Sequence, residues 1–218
     1  MLKRTFDIII SIIAILLSSP IMILIAILIK FTSKGPVFFI QERIGLNGKY
    51  FKMIKFRTMF HNSEREGTGL FSFEDDPRIT NLGNFLRRTS MDEFPQFLNV
   101  LIGSMSIVGP RPPVTYELGD WSTFTPSLRK RFKVKPGITG FAQVFGRNTL
   151  GWDRKLAYDI LYINRYKRFG VLLDIYIVYK TFWVVLTVQG ILEKKEDLID
   201  NKKIAKRAQD YNQKKIDN

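Results

Sequence analysis

The sequence predicts an α+β protein that is mostly helical, with one small β-hairpin and an N-terminal membrane anchor. Three observations predict this class. The run Ile8–Ile29 is apolar and uncharged, an Asn47-Gly48 pair separates two extended segments, and later segments repeat apolar residues at helical spacing. We expect three regions: a membrane helix over 1–34, a folded domain over 35–192 and a flexible charged tail over 193–218.

The apolar run is long enough to cross a bilayer as a helix, and it lacks the polar face of an ordinary soluble helix. Pro20 has no N–H and clashes with the carbonyl of Leu16, so Ser19-Pro20 predicts a kink whose freed backbone groups the serines can satisfy. Both flanks are basic, which favours a re-entrant helix that returns to the same side over a straight span. The flanking cations are Lys3, Arg4, Lys30, Lys34 and Arg43.

The composition of the chain limits the partners and the catalytic groups that the protein can use. A formal charge of +14 and a pI near 10.0 call for anionic partners such as nucleic acid, an anionic membrane or a polyphosphate substrate. The apolar run argues against nucleic acid. The absence of cysteine excludes a thiol nucleophile and disulfides, and the single His61 disfavours a histidine-centred triad. Acid–base work would fall to carboxylates, lysines or water.

The segment after the anchor predicts an antiparallel hairpin. Asn47-Gly48 is typical of a type I′ turn between strands near 37–40 and 49–57. Lys55 and Arg57 share one face of the second strand, where they would meet phosphate or the membrane surface. The polar, aperiodic stretch 61–80 is interpreted as a loop.

Asp92 and Glu93 are the carboxylates of greatest interest. A helix is predicted to start near Asp92, with Pro95 in its first turn, because apolar residues recur at i, i+3, i+4 and i+7. A helix N-terminus holds negative charge, either a carboxylate or a bound phosphate. Read alone, the pair fits an ordinary helix cap better than a reactive site. The apolar residues are Phe94, Phe97, Leu98 and Leu101.

The remainder predicts helices over 126–132, 152–168 and 171–192, the second carrying Asp159. The last is rich in aromatic and branched residues, which suits either an interfacial membrane helix or a core helix. Prolines restrict the backbone around Arg111, and a glycine-rich stretch ends at Arg147, which can bind phosphate in a forked manner.

Seven sequence blocks in one order carry a family resemblance: Lys3-Arg4-Thr5-Phe6-Asp7, Ser19-Pro20, Gln41-Glu42-Arg43-Ile44-Gly45, Lys55-Phe56-Arg57-Thr58-Met59, Asp92-Glu93-Phe94-Pro95-Gln96, Gly109-Pro110-Arg111-Pro112, and Pro136-Gly137-Ile138-Thr139-Gly140 through Gly146-Arg147. Together they resemble the bacterial sugar transferase family, and within it the small monotopic polyprenyl-phosphate phosphoglycosyl transferases.

The resemblance implies transfer of a phosphosugar from a UDP-sugar to undecaprenyl phosphate, with release of UMP. It implies Asp92 as the nucleophile of a ping-pong reaction, Glu93 as its catalytic partner, and Mg²⁺ bound by both. It places the chain in the bacterial inner membrane, on the cytoplasmic face, at the first membrane step of capsule, exopolysaccharide, O-antigen or protein-glycan synthesis. The lipid bilayer, a second copy of the chain and downstream glycosyltransferases are the expected partners.

The residues expected to bind substrate are Lys55, Arg57, Arg87, Arg88, Arg111, Arg147 and Asp159. The alternative is a non-enzymatic membrane scaffold of a glycan pathway, whose function would be indifferent to Asp92→Asn.

Overall fold

A computed structural model describes residues 2–61, 63, 76–115, 118, 121–146 and 150–187. Arg147 and the predicted tail 193–218 therefore lie outside the described residues. Short 3₁₀ turns occur at Leu46–Gly48, Met91–Glu93 and Trp121–Thr123. The helices and strands are, in chain order, α1 (Leu2–Thr32), β1 (Phe38–Ile44), β2 (Tyr50–Phe56), α2 (Asn81–Thr89), α3 (Gln96–Ile102), β3 (Ser106–Val108), α4 (Pro126–Arg131), β4 (Gly137–Thr139), α5 (Phe141–Phe145), α6 (Trp152–Phe169) and α7 (Val171–Leu186).

The fold is mostly helical with little sheet, as predicted. The hairpin is confirmed: β1 and β2 pair antiparallel, from Phe38 opposite Phe56 to Ile44 opposite Tyr50. Asn47 and Gly48 both have positive φ, and the Lys49 N–H bonds to the Leu46 carbonyl at 3.1 Å, as a type I′ turn requires.

A second, parallel pair of strands was not predicted. β3 and β4 are three residues each, too short to leave a periodic signal in the sequence. Gly137 is what lets them meet, because a Cβ there would lie 2.1 Å from the Gly109 nitrogen. This pairing brings the proline-flanked Arg111 segment against the core.

The main core is formed by one face each of several elements around β3. Its buried members are Met53, Val100, Met105, Ile107, Val108, Phe141, Tyr162, Ile163, Leu173 and Ile177. α7 contributes Leu173 and Ile177 from one face and exposes aromatic residues on the other. The core interpretation is therefore confirmed for one face of this helix, and the interfacial interpretation stays a prediction for the exposed face.

α1 runs through Ser19-Pro20 without leaving helical conformation, so the expected break is not an interruption of the helix. Pro20 cannot donate to the Leu16 carbonyl, and Ser19 Oγ donates to that oxygen instead, at 2.9 Å. Ser18 Oγ donates to the Ala14 carbonyl at 2.6 Å. The expectation that the serines satisfy backbone groups freed by the proline is confirmed for Ser19, whereas Ser18 bonds a carbonyl that the proline does not free.

Both ends of α1 are fixed to the folded domain. Near the N-terminus Arg4 donates to carbonyls at the end of α3, and Asp7 accepts bonds from Ser106 Oγ and the Ile107 N–H. Near the C-terminus Ile25 and Ile29 are buried in a cluster with β2 and α2 residues. Most of the middle is exposed. Within the described chain, α1 is the one helix long and apolar enough to cross a membrane.

Candidate active site

Asp92 and Glu93 lie in the 3₁₀ turn Met91–Glu93, between α2 and α3. The prediction that an α-helix begins near Asp92 was wrong by one turn, because α3 begins at Gln96 and Pro95 is its N-cap. Pro95 has no N–H to offer the Met91 carbonyl, and the Phe94 N–H bonds to that oxygen at 3.3 Å instead. Because Pro95 lacks this donor, Asp92 and Glu93 stay in a tight 3₁₀ turn.

Glu93 is the partner of two cations. Its Oε1 accepts from Lys55 Nζ and from Arg111 Nη2, each at 2.7 Å. Burial alone would raise the pKa of Glu93, but the attraction and hydrogen bonds of Arg111 and Lys55 outweigh it and hold this pKa well below its usual range. Glu93 is therefore ionised throughout the physiological range.

Asp92 is in the opposite situation. Its side chain is buried and accepts no hydrogen bond from the described residues. Burial raises its pKa to about 6; Lys55 lowers the pKa, the neighbouring Glu93 raises it, and Arg87 and Arg111 lower it. At neutral pH Asp92 is thus mainly a carboxylate that is poorly solvated, which is the condition of an activated nucleophile.

Arg87 reaches the site from the last turn of α2. Thr80 caps the start of that helix by accepting the Gly83 N–H, and Gly83 lies so close to Thr58 that a Cβ would sit 1.9 Å from the Thr58 carbonyl. This contact brings the Nε of Arg87 within 2.8 Å of Thr58 Oγ1. Burial lowers the pKa of Arg87, and the negative charges of Asp92 and Asp76 both raise it.

Arg111 stands on an unusually well fixed loop. Each carbonyl from Pro110 to Pro113 accepts a hydrogen bond, and the donors come from three distant parts of the chain, while the Arg111 side chain stays 46% exposed. The Arg111 guanidinium is therefore presented from a rigid backbone. The four bonds run from Gly137 N to Pro110 (3.0 Å), Arg131 Nη2 to Arg111 (2.8 Å), Arg43 Nη1 to Pro112 (2.9 Å) and Ile44 N to Pro113 (3.1 Å).

Three predicted site residues are not found at the carboxylate pair. Arg88 is exposed on α2. Arg57 is 6% exposed, and its Nη2 donates to the carbonyl and hydroxyl of Ser33, which joins the end of β2 to the end of α1. Asp159 is 1% exposed and accepts from Arg131 at 2.9 Å.

Sequence reasoning missed Thr58 and Arg131, which support Arg87 and Arg111. Thr58 lies in the block Lys55-Phe56-Arg57-Thr58-Met59, directly after Arg57, which was predicted to bind substrate. Arg131 is the one of three neighbouring cations on α4 that is buried, and nothing in the sequence distinguishes it from the other two. For Asp159 a signal did exist, since it shares a helix face with Tyr162 and Ile163, which are core residues.

The carboxylate pair can contribute to a magnesium site but cannot complete one. The described residues contain no group of three or more His, Cys, Asp or Glu side chains arranged to hold a metal. Mg²⁺ in phosphoryl-transfer enzymes usually takes one or two carboxylates and fills its shell with substrate phosphates and water. Asp92 and Glu93 fit that pattern, with Asp92 as the carboxylate that the described chain leaves without hydrogen bonds.

Comparison with known proteins assigns the family. The model described as Bacterial sugar transferase matches residues 1–188, well over half of the chain. The chain belongs to the bacterial sugar transferase family. The prediction made from the seven sequence blocks is confirmed.

Three relatives show the breadth of this family. The chain is 38% identical over 202 residues to "Exopolysaccharide production protein ExoY" of Sinorhizobium fredii (strain NBRC 101917 / NGR234), covering 86% of this chain and 87% of that protein. It is 43% identical over 186 residues to "UDP-glucose:undecaprenyl-phosphate glucose-1-phosphate transferase" of Escherichia coli (strain K12), covering 83% of this chain and 39% of that protein. It is 41% identical over 192 residues to "UDP-N-acetylgalactosamine-undecaprenyl-phosphate N-acetylgalactosaminephosphotransferase" of Aeromonas hydrophila, covering 87% of this chain and 44% of that protein.

The chain thus spans most of the length of one relative and about two fifths of the other two. Relatives at about 40% identity carry the names of sugar-phosphate transferases, and this bacterial sugar transferase is an enzyme of that class.

Proposed function

We propose that this protein transfers a phosphosugar from a UDP-sugar to undecaprenyl phosphate, through a covalent intermediate on Asp92. The observation that supports the proposal most is that the two adjacent carboxylates have different surroundings. Glu93 binds the cations Lys55 and Arg111, whereas Asp92 stays buried, ionised above about pH 6 and without hydrogen bonds from the described chain. A scaffold protein has no need of so costly a carboxylate.

In the first half-reaction an Asp92 oxygen forms a bond to the phosphorus that carries the sugar. The bond from this phosphorus to the bridging oxygen breaks, and UMP leaves with the electron pair. In the second half-reaction a phosphate oxygen of undecaprenyl phosphate attacks the same phosphorus. The acyl phosphate bond breaks, Asp92 recovers its carboxylate, and polyprenyl-diphosphate-sugar is formed. No proton or electron is left unaccounted for.

The surrounding cations supply what the attack of an anion on an anion requires. Lys55, Arg87 and Arg111 each lower the pKa of Asp92, so each carries positive charge close to the reacting centre. They are placed to offset the charge of the diphosphate and of the UMP leaving group. Mg²⁺, held by Asp92 or Glu93 and the substrate phosphates, would neutralise further charge on the diphosphate. Arg147, which lies outside the described residues, stays a predicted further phosphate ligand.

A lipid-linked acceptor requires a site at the membrane surface, and α1 supports that placement. In a straight α-helix the Cα atoms of Arg4 and Ile29 would be about 38 Å apart. Their anchoring points on the domain are close, because Asn99 at the Arg4 end donates and accepts hydrogen bonds with β2, which also supplies Phe56 to the Ile29 end. This favours a helix kinked at Pro20 that re-enters one leaflet, on the cytoplasmic side of the inner membrane.

The decisive experiment uses purified protein in lipid nanodiscs with Mg²⁺, undecaprenyl phosphate and a panel of UDP-sugars, with UMP release as the readout. We expect UMP with at least one sugar, and none with Asp92→Asn. Without undecaprenyl phosphate, a single turnover should leave a phosphosugar mass on the peptide that contains Asp92. A folded, lipid-bound preparation that releases no UMP from any sugar would favour the scaffold alternative.

Topology is tested separately. The chain has no cysteine, so single cysteines at Leu2 and Lys34, both exposed, report each end of α1 without background. We expect a membrane-impermeant maleimide to label both from the cytoplasmic side of inverted vesicles. Labelling of the two ends from opposite sides would instead establish a span.

A further inference from the structure

Arg131 and Asp159 form an ion pair in the interior behind the Arg111 loop. Arg131 Nε and Nη2 each lie 2.9 Å from Asp159 Oδ2, and each side chain is only 2% exposed. The ring of Trp152 covers the guanidinium, with its centroid 5.2 Å from Arg131 Cζ. Water is thereby excluded, and removal of either charge would leave the other uncompensated.

The same guanidinium makes a second contact that points toward the active site. Arg131 Nη2 donates to the backbone carbonyl of Arg111 at 2.8 Å, and Arg111 Nη2 donates to Glu93. Direct bonds thus join four residues: Asp159, Arg131, Arg111 and Glu93. Glu93 directly follows Asp92 in the turn Met91–Glu93. Among the described residues, the pair makes no direct contact with Asp92.

We propose that Asp159 and Arg131 are positioning residues that fix Arg111 through its own carbonyl, an inference that rests on the proposed function of the site. The sequence suggested Asp159 as a substrate ligand. In the structure its carboxylate orients Arg131 instead, and Arg131 orients the arginine that faces the phosphates.

The geometry explains why such a device is needed. The Arg111 side chain is half exposed and donates to Glu93, so the position of its backbone helps to determine where its guanidinium lies. A misplacement of about 1 Å in a charge-stabilising group can cost about 100-fold in rate. Of the four bonds that fix the loop carbonyls, the one from Arg131 acts on Arg111 itself.

Arg131→Lys is the sharpest test. A lysine keeps the charge beside Asp159, but its ammonium cannot reproduce the planar fork that reaches both the carboxylate and the Arg111 carbonyl. We expect kcat for UMP release to fall about 10- to 100-fold, with the KM for UDP-sugar and the Tm little changed. Asp159→Asn should act in the same direction. Arg129→Gln is the matched control, because Arg129 lies on the same helix, is exposed and, among the described residues, contacts the Trp121 ring and the Trp121 and Ser122 carbonyls.

A double-mutant cycle separates positioning from general structural damage. If the pair acts through Arg111, then Arg131→Lys should add no further loss of kcat once Arg111→Gln is present. Losses that multiply would overturn the inference, as would a wild-type kcat for Arg131→Lys alone. Should Asp159→Asn fail to fold, the lysine variant decides the question by itself.

A measurement independent of turnover keeps this inference distinct from the proposed function. ¹⁵N relaxation of the Arg111 backbone amide and Nε reports how firmly that residue is held. Greater motion of Arg111 in Arg131→Lys than in the wild type supports positioning even if no UMP is ever released. Equal order in the two proteins contradicts it, whatever the activity.

Discussion

Asp92→Asn is expected to abolish activity and at the same time to stabilise the protein at neutral pH. Burial raises the pKa of Asp92 from 3.8 to about 6. Because one pKa unit corresponds to about 1.4 kcal/mol, keeping this carboxylate ionised in the folded state costs about 3 kcal/mol. A buried asparagine amide without a partner costs about 1–2 kcal/mol. The variant should therefore gain about 1–2 kcal/mol, which raises Tm by about 2–8 °C for a chain of this size.

The sign of the pH dependence is fixed by the direction of the pKa shift. A carboxyl whose folded pKa is raised destabilises the folded protein above its unfolded pKa, and the penalty is complete only above the folded pKa of about 6. The gain in Asp92→Asn should thus be full at pH 7.5 and shrink as the pH falls through about 6. Below pH 3.8, where the aspartic acid is neutral in both states, only the cost of the unpartnered amide should remain and the variant should be the less stable protein. Differential scanning fluorimetry in nanodiscs across this range measures it, alongside UMP release.

Glu93→Gln is the matched control, and its expected effect on stability has the opposite sign. The pKa of Glu93 is held low by Arg111 and Lys55, so this carboxylate stabilises the folded state at neutral pH. Its neutral isostere leaves two cations without their partner and should lower Tm. A lower Tm for Asp92→Asn at pH 7.5, or substantial UMP release by it, would refute the reasoning that assigns the two carboxylates different roles.

Three further outcomes are expected. Lys55→Met should lower kcat by about 100-fold or more, and it should move the acid limb of the kcat/KM profile to higher pH, because Lys55 lowers the pKa of Asp92; an unmoved acid limb would exclude this electrostatic link. Pro20→Ala restores a backbone donor to the Leu16 carbonyl, so it should straighten α1, and cysteine labelling of its two ends should then divide between the two sides of the membrane; unchanged labelling would show that the serines alone hold the kink. Chelation with EDTA should stop UMP release and added Mg²⁺ should restore it, whereas full activity in EDTA would argue against a magnesium cofactor.

Local signals predicted the elements that local physics determines. The type I′ turn at Asn47-Gly48, the N-capped helix at Pro126 and the apolar α1 each depend on residues adjacent in the chain. The short parallel pair β3 and β4 was missed because its strands are held by a contact between Gly109 and Gly137, which are distant in sequence. Periodicity carries no information about such a contact.

Within the site, residue type predicted the chemistry and failed to assign individual partners. Lys55, Arg87 and Arg111 were expected near the carboxylates and are found there, but Arg57 has the same charge and strand face as Lys55 and instead binds Ser33. Their partners distinguish the two, and the partner of Arg57 depends on where α1 ends. The sequence likewise could not separate Arg131 from its exposed neighbours.

By itself the sequence determined the family, the apolar anchor, the hairpin and the presence of an Asp92-Glu93 pair among arginines, since these depend on composition, spacing and motif order. Only the tertiary structure decided that Glu93 accepts both cations while Asp92 is left poorly solvated, and that Asp159 supports Arg111 from the interior. The physical reason is that a side chain's pKa and partners are set by the groups around it in space. In this protein those groups come from segments far apart in the chain.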